Sequence, residues 1–242
     1  MIFVKRNKII VDCFTESEII FNALPIQNAS NFMPKWWKDM PATYQDGGLF
    51  KQPTMKTCSG IIDLYKVGII LPMWCDFIVK VDNNNYMWHF ADEKNAANIH
   101  GAQQWDAFAD PTEYGHVKIS SPWRVKEKTG INWFATLPQW NFGINRNLFF
   151  ASGVLSFKYT HELNFNLFIK LHENYEKIIN VGSPIAHLLP ISEKEIILKH
   201  HLVDHSEYAK MAGNRVSVTN SLKKIIKMSD KLEKKCPFGF KK

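Results

Sequence analysis

The chain has 242 residues, 45% of them hydrophobic and 22% charged, with 30 Lys+Arg against 23 Asp+Glu and a formal net charge of +7. This balance excludes a disordered, collagen-like or disulfide-scaffold protein, and the length suffices for one large core or at most two small ones. The cysteines Cys13, Cys58, Cys75 and Cys236 form no CxxC pair and are too scattered for a zinc framework, so free thiols are expected.

Residues 1–18 lack an uninterrupted apolar region and a small-residue cleavage site, which argues against a secretory signal. Residues 32–41, FMPKWWKDMP, are bracketed by prolines and predict one or two helical turns. The longest apolar run, 67–75, is shorter than the roughly 20 residues that span a bilayer and contains Pro72. A cytoplasmic location without a membrane partner is therefore expected. Strand-like segments follow at 77–81, 86–90, 116–120, 123–128, 131–137, 154–159, 161–172, 185–191 and 196–203. In 161–172 the odd positions 163 to 171 are apolar and the even ones polar, apart from Phe168. Turns are read at 82–85 (DNNN), 128–130 (KTG) and 182–184 (GSP). Residues 103–111 read as a surface loop or short helix with a capping aspartate. From Asp204 a helix is expected to run to about residue 235, with a possible break at Gly213-Asn214.

These elements predict a mainly β (α+β) fold, an antiparallel β-sandwich or jelly-roll-like barrel with short N-terminal helical elements and a C-terminal helix. The expected organisation is a single β-rich domain over 1–203 with a helical, lysine-rich tail over 204–242. Residues 222–242 hold eight lysines against Asp230 and Glu233, so the net charge resides almost wholly in that tail. Lys223, Lys224, Lys227, Lys231, Lys234 and Lys235 form a solvated face or a docking site for an acidic partner.

Catalytic templates find little purchase. The chain carries no G-x-S-x-G, G-x-x-x-x-G-K or G-x-G-x-x-G, which disfavours α/β-hydrolase, P-loop and Rossmann chemistry. His161-Glu162 begins HELNF, and a zincin helix would need a histidine where Phe165 stands. Adjacent strand residues point to opposite faces, so His161-Glu162 also fails the spacing of a facial triad. A weaker metal case rests on His161 and His187 turning into the sandwich interior, with His89 and Asp76 from neighbouring strands. The plainer alternative for both histidines is a hydrogen-bonded core or strand-end role. Aromatics reach 13%, including eight tryptophans, and such residues build either core or stacking platforms. Trp36-Trp37, beside Lys35 and Lys38, reads as an exposed or lid-like pair. Trp123 and Trp133 flank the turn at Gly130, where they can pair across a hairpin.

Several linked segments resemble an uncharacterised family of proteins in marine bacteriophages and some bacteria. They are FMPKWW at 32–37, the cysteine-containing segment 56–76 ending in Pro72-Met73-Trp74-Cys75-Asp76, Ser121-Pro122-Trp123 before Gly130, and GSPIAHLLP at 182–190. Cys58-Ser59 departs from the Cys-Pro of many relatives. The resemblance implies a viral or bacterial context and a β-sandwich, and implies no activity or cofactor. The site candidates it suggests are Trp74, Asp76, His100, Gln104, Trp123 and His187. The expected binding set is Trp36, Trp37, Trp74, Asp76, His100, Gln104 and Trp123, and the expected metal set is His161 and His187. Three functions follow: an accessory or virion-associated protein that binds a protein or glycan through an aromatic face; a metal-dependent, jelly-roll oxygenase; and a single-stranded nucleic-acid binder, whose affinity would fall with salt.

Overall fold

The computed structural model describes residues 8–92 and 97–211. Its strands are β1 (Lys8–Thr15), β2 (Gln27–Asn28), β3 (Thr43–Tyr44), β4 (Gln52–Pro53), β5 (Ile69–Pro72), β6 (Phe77–Asp82), β7 (Asn85–Phe90) and β8 (Ala97–Asn98). They continue as β9 (Tyr114–Glu127), β10 (Trp133–Thr136), β11 (Leu148–Phe150), β12 (Gly153–Leu155), β13 (Glu162–Lys170), β14 (Tyr175–Ile179), β15 (Pro184–Pro190) and β16 (Glu195–Leu202). Short helices intervene: α1 (Glu18–Ala23), α2 (Lys35–Asp39), α3 (Ser59–Lys66), α4 (Phe142–Asn145) and α5 (His205–Met211). The expected helix beyond Met211, the six tail lysines and Cys236 lie outside the described residues.

The larger sheet runs β11-β13-β9-β1-β16, with β8 added on β9; a second runs β12-β10-β15-β5-β2. Alternation explains how they stack. Ile9, Val11 and Cys13 of β1, Val117, Ile119 and Val125 of β9, and Leu163, Phe165, Leu167 and Ile169 of β13 share a buried cluster with Leu71, Trp133, Ala135 and Leu188 of the second sheet. A three-stranded sheet, β14-β6-β7, adds Phe77, Val79, Val81 and Ile179 to the same cluster. The fold is thus mainly β and sandwich-like, with open sheets rather than a closed barrel. Most pairings are antiparallel, but β1 and β16 run parallel.

The turn read at 82–85 is a tight hairpin in which Asn83 and Asn84 both take positive φ, 49° and 62°. Asparagine tolerates that left-handed backbone and so selects the two-residue loop between β6 and β7. The turn at Gly130 behaves differently. β10 pairs with β12 and β15, not with β9, so the chain crosses between sheets there. Trp123 and Trp133 consequently do not pair across a hairpin: Trp123 Nε1 donates to Leu24 O at 3.0 Å, and the Trp133 ring lies 5.4 Å from Phe157.

The outer side of the second sheet is covered by helices. Ile70 points away from its neighbours Ile69 and Leu71 and joins Ala29, Trp37, Tyr65 and Trp140 in a second buried cluster. Helices α2 and α3 supply Trp37 and Tyr65, and the amphipathic 3.6-residue spacing of α3 turns Tyr65 inward. Among the described residues no helix is long and apolar enough to cross a membrane.

Candidate functional site

The outer face of the larger sheet carries the densest polar and aromatic arrangement. Even-numbered residues of β9 and β13 point away from the core, and register places Phe149, Phe168 and His116 side by side across β11, β13 and β9. Phe149 and Phe168 stack with centroids 4.8 Å apart and planes 9° from parallel, and His116 meets Phe168 edge-on at 5.1 Å. Residues 99–112 cross back over this row from β8. Their rings extend it: His100 stacks on His116 at 5.0 Å, Trp105 lies 5.8 Å from His116 and 5.5 Å from Phe168, and Phe108 lies 5.2 Å from Phe168. Tyr114 closes the far side, 5.2 Å from Phe149. Edge-on and offset contacts at these separations are favourable ring geometries.

The chain fixes this tier from both ends. The Tyr86 hydroxyl accepts from His116 N at 3.2 Å and donates to His116 O at 3.1 Å. Its ring packs against Gly115, where a Cβ would come within 2.5 Å of the ring carbons, so glycine leaves room for the ring. Trp105 Nε1 donates to His100 O at 3.2 Å, and Asp110 accepts from the Thr112 amide and hydroxyl at 2.8 Å each. Those two hydrogen bonds hold the Asp110 carboxyl below the usual aspartate range.

His116 is buried and its Nε2 lies 3.2 Å from Asn166 Oδ1. Burial lowers its pKa, which favours the neutral ring with Nε2–H donating and a lone pair on Nδ1. Among the described residues nothing hydrogen-bonds that buried Nδ1. The tier is partly roofed: Phe168 is buried, whereas Phe108 is 62% exposed, and Tyr114, Phe149 and Trp105 are part-exposed. Part-exposed Lys118, Asn164 and Asn166 border it.

The other half of the same face is basic. A shallow cleft of about 320 Å³ is lined by Lys8, Ile10, Asp12, Lys128, Thr129 and Lys199, and a neighbouring one of about 300 Å³ by Phe14, Lys126, His161, Glu207, Lys210 and Met211. Helix α5 closes this end. Glu207 N is capped by Asp204 Oδ1 at 2.8 Å, the Tyr208 hydroxyl donates to Pro122 O at 2.9 Å, and the Arg124 guanidinium lies 3.8 Å from the Tyr208 ring centroid.

The expected site residues are distributed rather than gathered. His100 belongs to the tier, and Gln104 sits exposed on its roof. Trp36 is 40% exposed, but Trp37 is buried against Tyr65 at 4.6 Å, so the pair is not jointly a lid. Trp74 and Trp123 are core residues. The Asp76 carboxylate accepts from Val181 N at 2.6 Å and fastens the loop after β5 to the turn before β15.

The two histidines expected to share a metal stand on different sheets. His161 precedes β13, and its Nδ1–H is directed at Val125 O and Phe157 O, 3.2 and 3.1 Å away. His187 pairs with Ile70, so it faces the second cluster and not the space between the sheets; a bulge after Pro184 sets that phase. Its Nε2–H donates to Val67 O at 2.8 Å, its ring lies 5.2 Å from Trp140, and burial lowers its pKa. Among the described residues no three His, Cys, Asp or Glu side chains converge as a metal site. His116, Phe149 and Phe168, the centre of the tier, were not among the expected residues. The visible signal was Phe168, the apolar interruption in the otherwise polar even positions of 161–172.

No family model matches the chain, and no curated protein matches it.

Proposed function

We propose that the chain is a ligand-binding β-sandwich that receives a glycan at the rim of the aromatic tier. The observation that carries this is the unbroken ring contact from His100 to Tyr114 on the solvent side of the sheet, ending in the exposed ring of Phe108. Sugar rings present flat C–H faces and a rim of hydroxyls. Phe108, Phe149 and Tyr114 offer ring surface to the first, and Asn164, Lys118 and Gln104 offer hydrogen-bonding groups to the second. Residues packed beneath, Phe168 and His116, hold the platform rigid before a ligand arrives. The resemblance to phage and bacterial proteins supports an accessory or virion-associated setting for such a module.

The test is retention on an array of immobilised oligosaccharides. Phe108→Ala, an exposed substitution, is expected to weaken retention about tenfold, the worth of one ring contact. Retention unchanged in Phe108→Ala, or no oligosaccharide retained at all, refutes the proposal. A second reading, a single-stranded nucleic-acid binder, is favoured by the lysines of the neighbouring clefts, Lys8, Lys128 and Lys199. It predicts oligonucleotide binding that falls steeply with salt and weakens in Lys199→Glu.

A further inference from the structure

On the opposite side of the sandwich, a small hairpin leaves large apolar side chains in water. β3 and β4 pair through only Thr43↔Pro53 and Tyr44↔Gln52, and the connecting loop 45–51 reads QDGGLFK. At its tip Leu49 is 94% and Phe50 77% exposed; Tyr44, Met55 and Trp36 are exposed around it. Hydrogen bonds shape the hairpin and tie it to the fold. Gly47 takes the positive φ of +93° that the turn requires, Gly48 N is held by Asp46 Oδ1 at 3.2 Å, and Gln45 Nε2 donates to Gly48 O at 3.1 Å. Thr54 N donates to Ala42 O at 3.0 Å, and Lys56 Nζ donates to the carbonyls of Trp37 and Lys38, fixing the hairpin to α2. Lys51 follows the apolar tip in sequence, and Lys35 and Lys38 stand exposed on α2, to which the hairpin is tied; of the two carboxylates here, Asp39 is paired with Lys35 and Asp46 accepts from Gly48 N within the loop.

We infer that this hairpin is a docking tip for an anionic lipid surface. The apolar side chains exposed here, Leu49, Phe50, Tyr44, Met55 and Trp36, are few against the roughly 20–30 residues a side of a stable protein interface. Shallow insertion into a headgroup region suits it: leucine and phenylalanine enter the acyl boundary, tyrosine and tryptophan sit at headgroup level, and lysines meet anionic lipid. This replaces the expectation of no membrane partner. It concerns surface binding, needs no spanning segment, and uses the face opposite the aromatic tier, so it stands independently of the glycan proposal.

The experiment is co-sedimentation of the full chain with vesicles of phosphatidylserine and phosphatidylcholine, and with phosphatidylcholine alone. Binding is expected to the anionic vesicles, to fall at least tenfold in Leu49→Ser/Phe50→Ser, and to fall about fivefold in Lys51→Gln. Thermal melting of the double variant should match the parent, since neither side chain packs on the core. No binding to anionic vesicles at low ionic strength overturns the inference. So does binding that survives Leu49→Ser/Phe50→Ser, which would assign it to the lysine-rich C-terminal segment. A self-association seen by sedimentation velocity and lost in the double variant would assign the tip to a second copy of the chain instead.

Discussion

Acid should destabilise this fold through its buried histidines, and the size of the effect follows from where they sit. His187 is fully buried and His116 nearly so, and burial lowers the pKa of both below the ordinary value of 6.5. In the unfolded chain each returns to about 6.5. As pH falls below 6.5 the unfolded chain takes up protons that the folded one resists. Stability is therefore fully present above 6.5 and is lost progressively until the folded pKa is reached. Each histidine contributes a slope of up to about 1.4 kcal/mol per pH unit, so the pair gives up to about 2.7 kcal/mol per unit. Against a typical total of about 5–15 kcal/mol, one pH unit removes a substantial share. Urea unfolding at intervals between pH 8 and pH 5 measures the slope. Part-buried His161, its pKa also lowered by burial, adds to the slope, so His187→Phe, which keeps a ring beside Trp140, and His116→Phe should each remove a part of it and leave the His161 share. Equal slopes in parent and both variants below pH 6.5 would refute the reasoning.

The remaining predictions concern single positions. Gly68 takes a φ of +88°, and a Cβ there would lie 2.5 Å from Leu188 O, so Gly68→Ala should cost at least about 2 kcal/mol, read as a lowered urea midpoint. Cys58 is exposed and Cys13 is buried with its thiol pKa pushed up by that burial; mass spectrometry after native-state alkylation should find Cys58 modified and Cys13 modified only after unfolding.

Where local chemistry decides structure, the sequence carries the fold well. The alternation of Leu163, Phe165, Leu167 and Ile169 marks β13 because one face must be dry and the other wet. The two asparagines at 83–84 mark their hairpin because few residues accept positive φ. Ser121-Pro122 misleads for a physical reason. Proline removes one amide from the ladder, which suggests a break between two strands. β9 nevertheless runs through it, because its pairing with β13 shifts register between Glu162 and Asn164, opposite this stretch. β1 was missed because Ile10 and Phe14 on its outer face blur the alternation, and β5 because burial on both sides leaves no alternation at all. Nothing local fixes that β9 and β10 enter different sheets; that choice is made by which faces must be covered once both sheets exist.

The tier shows why a surface cluster of rings is harder to find than a core. Each tryptophan draws attention by its size, yet Trp37, Trp74, Trp123 and Trp133 are buried, since large rings are most stabilising when fully dry. The rings that gather on the outer sheet face come from positions where apolar side chains do not help the sandwich core: Phe149, Phe168 and His116. Such a row costs stability unless something covers it. The 99–112 segment covers Phe168 and His116 and leaves Phe108 in water, although a chain selected only for stability would place a polar residue there. A ring on a polar register, opposite another ring on each neighbouring strand, marks this cluster, and it becomes readable only when the strand pairing is known.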